Sequence, residues 1–478
     1  MAAARPPNPP PDGGWGWAVT AGAFITLFFT NGLPQSFGVF FVEFRDYFQA
    51  SAKSVSLIGA LLLSMIFFTS PISAGLANTK GCRPIAMVGG VLASLSLIIS
   101  SFAPGLKFLY VFMGILTGFG FSLGFVPSLG IVAQYFKKKY IMATAVSLSG
   151  VALGTIIFPP LCNRMINKYG WRSSLFLLGA MTMNILVGSA LFRPLNPTQV
   201  ETDEESSCSD SEADSISRLD AESTDVESAS DSSESEDSTI TKRKGRTKEI
   251  KASASNGKPK ALDISVFKSY RYLLICVICV LIGMSFVTSV IFLVPYATSR
   301  GIPLKMAAYL MSVFGLVNFL GRLLQGILAN AGLLTPTKFL CIHLLVITVA
   351  NFLIPSGKSY AAFVAYAVFA GLSMAGTSAL FPALIRGMVG DEKFQSGVGL
   401  SQIFVGSGTF LGPVISGTLI DKTGGFKAAF MFSGFLAVLS FVLMLLEPVL
   451  HKLELAKELK KESEEMDLEK EIEITKAE

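Results

Sequence analysis

The chain has 478 residues, of which 51% are hydrophobic and only 15% charged, and its formal net charge is +5. A soluble protein carries about a quarter charged residues, so this composition excludes most soluble classes. Long apolar runs indicate instead a helical membrane protein with several spans. Nucleic-acid binding, soluble catalysis and a disulfide-stapled secreted fold are therefore disfavoured.

Apolar runs of about 20 residues can each cross a hydrocarbon core of about 30 Å as a helix. Twelve such runs lie at 17–41, 55–77, 84–104, 107–133, 141–163, 173–192, 272–297, 306–330, 337–357, 360–386, 397–420 and 427–446. They form two sets of six around one long hydrophilic segment. This pattern predicts an all-α membrane protein with twelve transmembrane helices in two six-helix halves. The predicted domains are a Pro-rich cytoplasmic N-terminus (1–16), an N-terminal half (17–195), a central loop (196–271), a C-terminal half (272–447) and a charged tail (448–478).

Lysine and arginine predict the orientation, because cytoplasmic loops carry an excess of both. With both termini in the cytoplasm, the cytoplasmic segments carry 27 of the 39 Lys and Arg residues, whereas the opposite loops carry 11. The run Lys137-Lys138-Lys139 is the strongest signal in a short loop. We therefore expect both termini to be cytoplasmic.

The central loop changes sign along its length. Residues 201–237 contain fifteen acidic residues among repeated serines, and residues 242–260 contain eight Lys or Arg. Such a polar segment cannot bury enough apolar surface to fold, which predicts a disordered tether. An alternative adds phosphorylation of the serines, with the basic block held near anionic lipid. The tail alternates Lys and Glu at helical spacing and predicts an exposed charged helix.

Cysteines and titratable residues give no sign of catalytic or metal chemistry. Cys276 and Cys279 form a C-x-x-C inside an apolar run, without a second pair nearby, so we interpret them as packing residues. The sequence has no catalytic pair, metal cluster or phosphate-binding glycine loop on one accessible face. We expect no enzyme activity, no cofactor and no metal site.

Short motifs at the span ends carry a family resemblance. The first span opens with Asp12, Gly13, Gly14, Trp15, Gly16 and Trp17. Later motifs, in order, are Phe40-Phe41-Val42-Glu43-Phe44, Tyr135-Phe136-Lys137-Lys138-Lys139, Gly170-Trp171-Arg172, Leu293-Val294-Pro295-Tyr296-Ala297, Gly321-Arg322 and Gly412-Pro413. This ordered set resembles the monocarboxylate transporter family, a branch of the major facilitator superfamily. We expect Asp12 at a helix N-terminus, where the dipole and free N–H groups favour an acid, and both tryptophans at the membrane interface.

The resemblance implies a major facilitator fold, a central site shared by both halves, and transport of small organic acids or zwitterionic relatives through the lipid bilayer. Several family members move lactate-like anions with a proton. Others carry aromatic amino acids, thyroid hormones, creatine or carnitine, often without one. Because the chain has no N-glycosylation sequon, it resembles relatives that depend on a single-span glycoprotein chaperone at the plasma membrane.

Arg322 is the one charged residue that the sequence places deep inside a span. A carboxylate in hydrocarbon needs a cationic partner, and a guanidinium stays protonated and offers a planar fork to a carboxylate. Arg322 matches the arginine that lactate-type members use to bind the substrate carboxylate. We expect it to bind substrate; the alternative is an arginine that snorkels or pairs with carbonyl groups.

Two amides depart from the lactate-type pattern. Those members have a lysine after the proline of the first span, where this chain has Gln35, and an aspartate one turn before the arginine, where it has Asn318. Neither amide titrates, so we expect the lysine–aspartate proton relay to be absent and the solute to carry more polar groups. Asn31, one turn before Gln35, replaces an aromatic residue. In these positions the chain resembles the atypical members of the family.

Further candidate residues follow from their positions in the spans. Ser285 in the seventh span is a candidate for the polar lining of the pocket. Phe381, with Pro382, is a candidate for the apolar wall opposite Arg322. His343 is expected to be a packed imidazole rather than a proton carrier.

The sequence thus predicts a secondary transporter that moves monocarboxylates or related small organic solutes across the plasma membrane by alternating access. Two alternatives stay open. One is a proton-coupled symporter of the lactate or pyruvate type. The other is a membrane sensor or scaffold that transports nothing and recruits cytosolic partners.

Overall fold

The computed structural model describes residues 12–136, 139–194, 264–330 and 336–477, which form helices and connecting turns without a strand. The helices of the first half are α1 (Gly16–Leu27), α2 (Phe37–Phe48), α3 (Ala52–Phe68), α4 (Ser70–Lys80), α5 (Cys82–Ser100), α6 (Leu106–Leu109), α7 (Thr117–Tyr135), α8 (Tyr140–Thr182) and α9 (Asn184–Ala190). Those of the second half are α10 (Tyr270–Ser299), α11 (Leu304–Asn330), α12 (Pro336–Leu353), α13 (Tyr360–Thr423) and α14 (Lys427–Ala477). The all-α prediction is confirmed.

The spans agree with the hydropathy pattern once merged helices are divided. Among the described residues, nine helical stretches are long and apolar enough to cross a membrane, and α3 with α4, bent by 43°, makes a tenth. One of the nine, Met142–Ala190, is broken at Gly170, whose φ of 75° and ψ of 166° are not helical. Counting its two parts separately and adding the shorter apolar helix Tyr360–Ala375 gives twelve.

Most of the predicted central loop lies outside the described residues, as do Lys137 and Lys138. Its last residues are described: Ile264–Lys268 form a short 3₁₀-helix, and α10 begins at Tyr270, two residues before the predicted span. The tail continues the last span, because α14 runs on to Ala477. The tail is therefore helical, as its charge pattern predicts.

Serine side chains cap the N-termini of three of the spans. Ser51 accepts a hydrogen bond from Ser54 N, Ser269 from Tyr272 N, and Ser359 from Ala362 N. The first N–H groups of a helix lack intrahelical partners, and a serine at this position satisfies one of them. Polar caps therefore fix where these apolar helices begin.

Glycines lie where helices cross closely. A methyl group on Gly154 of α8 would stand 2.7 Å from the Cα of Gly32, and one on Gly412 of α13 would stand 2.5 Å from the carbonyl oxygen of Met284. Hydrogen is the only side chain that fits at such crossings. Small residues at helix interfaces allow the backbones of membrane helices to approach closely in general. The small-residue spacing in these spans therefore serves packing.

Among the described residues, the two halves pack most extensively along three helix pairs, α2 with α10, α3 with α13, and α8 with α11. The rings of Phe41 and Phe292 lie 5.4 Å apart between their centroids in the first pair. Hydrogen bonds join the other pairs. In the described part of the chain, the bonds between α3 and α13 lie toward one end of the bundle, which carries residues 48–52, 299–304 and 421–427, and the bond of Ser312 with Ile156 lies nearer the middle of the spans. We call the end that carries residues 48–52 the closed end.

Candidate substrate site

The first span is not a regular helix where the sequence predicts the site. After α1, residues Phe28–Gly32 form a π-helix and Leu33–Ser36 a 3₁₀-helix before α2 begins. Pro34 explains part of the irregularity, because it has no N–H to donate to the preceding turn. π- and 3₁₀-segments inside a helix often accompany functional sites. The prediction that Asn31 lies one turn before Gln35 assumed a regular α-helix, and the structure does not have one here.

Both amides of this irregular segment are partly buried. The Nδ2 of Asn31 donates to the Oγ1 of Thr30 at 3.4 Å. The Oε1 of Gln35 is buried and accepts no hydrogen bond from a described residue. A buried acceptor without a donor is energetically costly, so the Gln35 oxygen is a place where a ligand group could bind.

Arg322 and Asn318 form a connected pair on α11. The Nε of Arg322 donates to the Oδ1 of Asn318 at 2.9 Å, and the Nδ2 of Asn318 donates to the carbonyl oxygen of Gly371 at 3.3 Å. Asn318 is buried, with 4% of its surface exposed. The amide therefore anchors the guanidinium to the backbone of the neighbouring helix α13.

The bond between Arg322 and Asn318 involves Nε and neither of the terminal nitrogens of the guanidinium. No hydrogen bond joins them to another residue within the described ranges. Arg322 is the nineteenth of the 27 residues of α11, or about 27 Å from its start at 1.5 Å per residue. The charge thus lies nearer the C-terminal end of the span than its beginning. Described residues place no hydrogen bond between this pair and either Asn31 or Gln35.

Ser285 lies inside the second half rather than between the halves. Its Oγ is 2.8 Å from the Oγ of Ser433 on α14. Ser285 and Ser289 also line a narrow crevice. Other lining residues are Phe286, Phe314, Ser373 and Ser440. Phe314 precedes Asn318 by four residues, so the crevice begins on the face of α11 that carries the arginine.

Phe381 and His343 both pack against neighbouring side chains. Phe381 packs against a buried cluster that includes Tyr272, Leu384 and Ile385. No described contact places it opposite Arg322. His343 is 6% exposed and its ring stacks on that of Phe339, with centroids 6.3 Å apart.

Sequence reasoning missed two polar groupings. The hydroxyl of Tyr366 lies 2.7 Å from the Oγ of Ser289 and 2.9 Å from the Oδ1 of Asn351, all buried in the second half. At the end opposite the closed end, Arg271 pairs with Glu447, its Nε lying 3.1 Å from Oε1. The sequence does show that Arg271 and Glu447 each flank a long apolar run. It does not show that the two residues pair, because only the fold brings α10 beside α14.

The motif at the start of the first span joins four segments of the first half. Asp12 does not cap its own helix, since α1 has no side-chain cap. Its Oδ1 accepts instead from Lys139 N, directly before α8, at 3.2 Å. The Nε1 of Trp15 donates to the carbonyl oxygen of Leu191 at 3.3 Å, and the rings of Trp17 and Phe136 meet edge to face. This motif fixes the ends of α7, α8 and α9 around the first span.

Comparison with known proteins decides the family. The model of the Major Facilitator Superfamily matches residues 19–361 and 333–470 of the chain. Monocarboxylate transporter 2 of Homo sapiens is 31% identical over 465 residues, which cover 97% of this chain and 91% of that protein. The chain belongs to the monocarboxylate transporter family. Monocarboxylate transporter 12 of Rattus norvegicus is 30% identical, over 91% of this chain and 86% of its own length.

Monocarboxylate transporter 1 of Bos taurus is likewise 30% identical, over 95% of this chain and 89% of its own. Membership of the monocarboxylate transporter family makes the chain a multi-pass membrane protein and a secondary transporter, not an enzyme. Among solved structures, a POT family transporter in complex with 5-aminolevulinic acid has a TM-score of 0.67 and 14% identity, and covers 92% of this chain and 98% of its own. At this identity the likeness establishes the fold alone, which is the predicted major facilitator fold.

Proposed function

We propose that the chain carries a small organic carboxylate or zwitterion across the plasma membrane by alternating access, with Arg322 binding the carboxylate. The observation that supports this role most is the geometry of the guanidinium. Its Nε is held by Asn318, so the two terminal nitrogens are directed away from that bond. Two parallel N–H donors match a carboxylate.

Neutral amides occupy two positions where lactate-type members of the family carry titratable groups. Asn318 accepts from Arg322 without adding a negative charge, and Gln35 presents a buried oxygen that accepts no described hydrogen bond. A proton symporter needs a group whose charge changes with loading. Arginine and amides do not change charge, so we propose that the lysine–aspartate relay is absent.

The orientation follows from the distribution of Lys and Arg. With both termini cytoplasmic, the closed end would face the outside of the cell in this proposal. A single-span glycoprotein chaperone is the partner we propose for delivery to the plasma membrane. The domain boundaries predicted from the sequence remain part of this proposal.

Uptake by purified protein in vesicles tests the role of Arg322. A panel of labelled lactate, pyruvate, ketone bodies, creatine, carnitine and aromatic amino acids is offered at equal pH on both sides. For the solute that enters, Arg322→Ala should reduce uptake about 100-fold, because hydrogen bonds to a charged group contribute about 1.5–3 kcal/mol each. Arg322→Lys should retain part of the uptake, since it keeps the charge but loses the planar fork.

The matched control is Arg164→Ala, which removes an exposed arginine of α8 and should leave uptake unchanged. Uptake that survives Arg322→Ala would contradict the binding role. If the wild type takes up no solute of the panel while an unrelated reconstituted carrier does, the scaffold alternative gains support.

A further inference from the structure

One face of α13 contacts α3 across the closed end through three residues spaced four apart. The Oγ of Ser56 donates to the carbonyl oxygen of Pro413 at 3.0 Å. One turn on, a methyl group on Gly417 would stand 2.8 Å from the Cα of Lys53. Another turn on, Asp421 reaches the first residues of α3. Residues at this spacing share one face of a helix, so the contact runs along the crossing.

The carboxylate of Asp421 accepts two backbone hydrogen bonds from the other half. Its Oδ1 accepts from Ala52 N at 2.7 Å and its Oδ2 from Lys53 N at 2.9 Å. Ser51, directly before α3, takes the N–H of Ser54. A residue 369 positions away in the chain thus caps two of the N–H groups that a helix start leaves without partners.

The electrostatics of this contact differ from those of the other bonds between the halves. Ser56 with Pro413, and Ser312 with Ile156 at 2.7 Å, are hydrogen bonds between neutral groups. Asp421 contributes a negative charge at the positive end of the α3 dipole, and both of its bonds are charge-assisted. Among the described hydrogen bonds between the halves, the two that Asp421 accepts are the ones that involve a charged group.

We propose that Asp421 is a positioning residue of the transport cycle, whose carboxylate caps α3 across the interface and stabilises the state in which the closed end is shut. This inference rests on the proposed alternating access. Asp421 is exposed, so water replaces both N–H donors when the halves separate. The contact therefore biases the equilibrium between the two states and does not prevent opening.

Accessibility of a buried reporter measures this bias. Ile291 of α10 is fully buried, and its Cδ1 would lie 3.0 Å from a methyl group on Gly59 of α3. In a full-length chain whose native cysteines are replaced, the thiol introduced by Ile291→Cys should react with a membrane-impermeant maleimide only after the closed end opens. The labelling rate from the side that carries residues 49–51 is the readout.

We expect Asp421→Asn to raise this labelling rate about tenfold, which corresponds to about 1.4 kcal/mol, because the amide loses the charge and one acceptor. Asp421→Glu keeps the carboxylate and should return most of the parent rate. The control Asp46→Asn removes another exposed carboxylate near the same end and should change nothing. An equal rate in the parent and in Asp421→Asn, or an equal rise for Asn and Glu, would overturn the proposal.

Ala52→Pro removes one donor and leaves Asp421 intact. Ala52 is the first residue of α3, where proline is favoured, and Ser51 already has the extended ψ of 152° that a following proline requires. This variant should also raise the labelling rate, and it decides the question if Asp421→Asn does not reach the membrane. Labelling needs no substrate, so a failed role for Arg322 in uptake leaves this test valid.

Discussion

At the scale of single residues, the informative pair is an arginine bonded to an amide. Asn318 holds the Nε of Arg322 and is itself held by the carbonyl oxygen of Gly371. An aspartate at this position would place a negative charge against the guanidinium and compete with an anionic substrate. The amide supplies the same acceptor without that competition.

Asn318→Asp should therefore introduce a dependence on pH. Above the pKa of the new carboxyl group, its negative charge competes with the substrate, and we expect the KM for an anionic solute to rise about tenfold, equal to about 1.4 kcal/mol. As the pH falls and the carboxyl group is protonated, KM should return toward the wild-type value. Measurements of KM between pH 5.5 and 7.5 check this expectation.

Asn167→Asp is the control for this substitution, since it adds the same charge at an exposed position of α8. A KM that equals the wild-type value at every pH in Asn318→Asp would show that the amide does not lie beside the bound anion.

At the scale of helices, the ends carry contacts that hydropathy does not reveal. Asp12 and Asp421 both offer a carboxylate to a helix start that is not their own. The first acts within the N-terminal half and the second between the halves. Their different roles follow from which helices they join, since the local chemistry is the same.

Asp12→Ala should lower the stability of the first half. Loss of a capping side chain costs about 1 kcal/mol, so we expect a melting temperature in detergent a few degrees below wild type. Asp46→Ala, which removes an exposed carboxylate without such a contact, should melt with the wild type. Equal melting of all three proteins would contradict the cap.

The sequence predicts the number and type of helices well because a hydrocarbon core imposes length and polarity on every span. It predicts irregular segments poorly. Gly32 and Pro34 are visible in the sequence, yet it does not show that π-geometry changes to 3₁₀-geometry at Gly32, where this helix packs against Gly154. Contacts such as Arg271 with Glu447 need the tertiary arrangement, since 176 residues separate the partners.

At the scale of the whole molecule, the sequence leaves the closed end undetermined. One amino-acid sequence serves both states of a carrier, and the states differ by contacts that form and break between the same halves. The twelve spans and the Arg322–Asn318 spacing were readable from the sequence. The end that is closed is identified by hydrogen bonds such as those of Ser56 and Asp421, whose partners only the folded chain brings together.

Proton coupling is a property of the whole cycle and gives a further prediction. For a fully ionised carboxylate, an imposed pH gradient at clamped voltage should drive no accumulation in vesicles, because the amides Gln35 and Asn318 cannot carry a proton. Tracer uptake against its gradient is the measurement. Electroneutral, pH-driven accumulation that is lost in His343→Ala would contradict the prediction and favour the symporter alternative.

The neutral amide beside Arg322 also has an electrical consequence. A carrier that moves an anion without a proton transfers one net charge per cycle, and the membrane potential acts on that charge with about 2.3 kcal/mol per 100 mV. With the cell interior about 60 mV negative, an anionic solute would reach equilibrium about tenfold more dilute inside than outside. The same protein would therefore release anions from a resting cell, whereas a zwitterion would distribute equally on both sides.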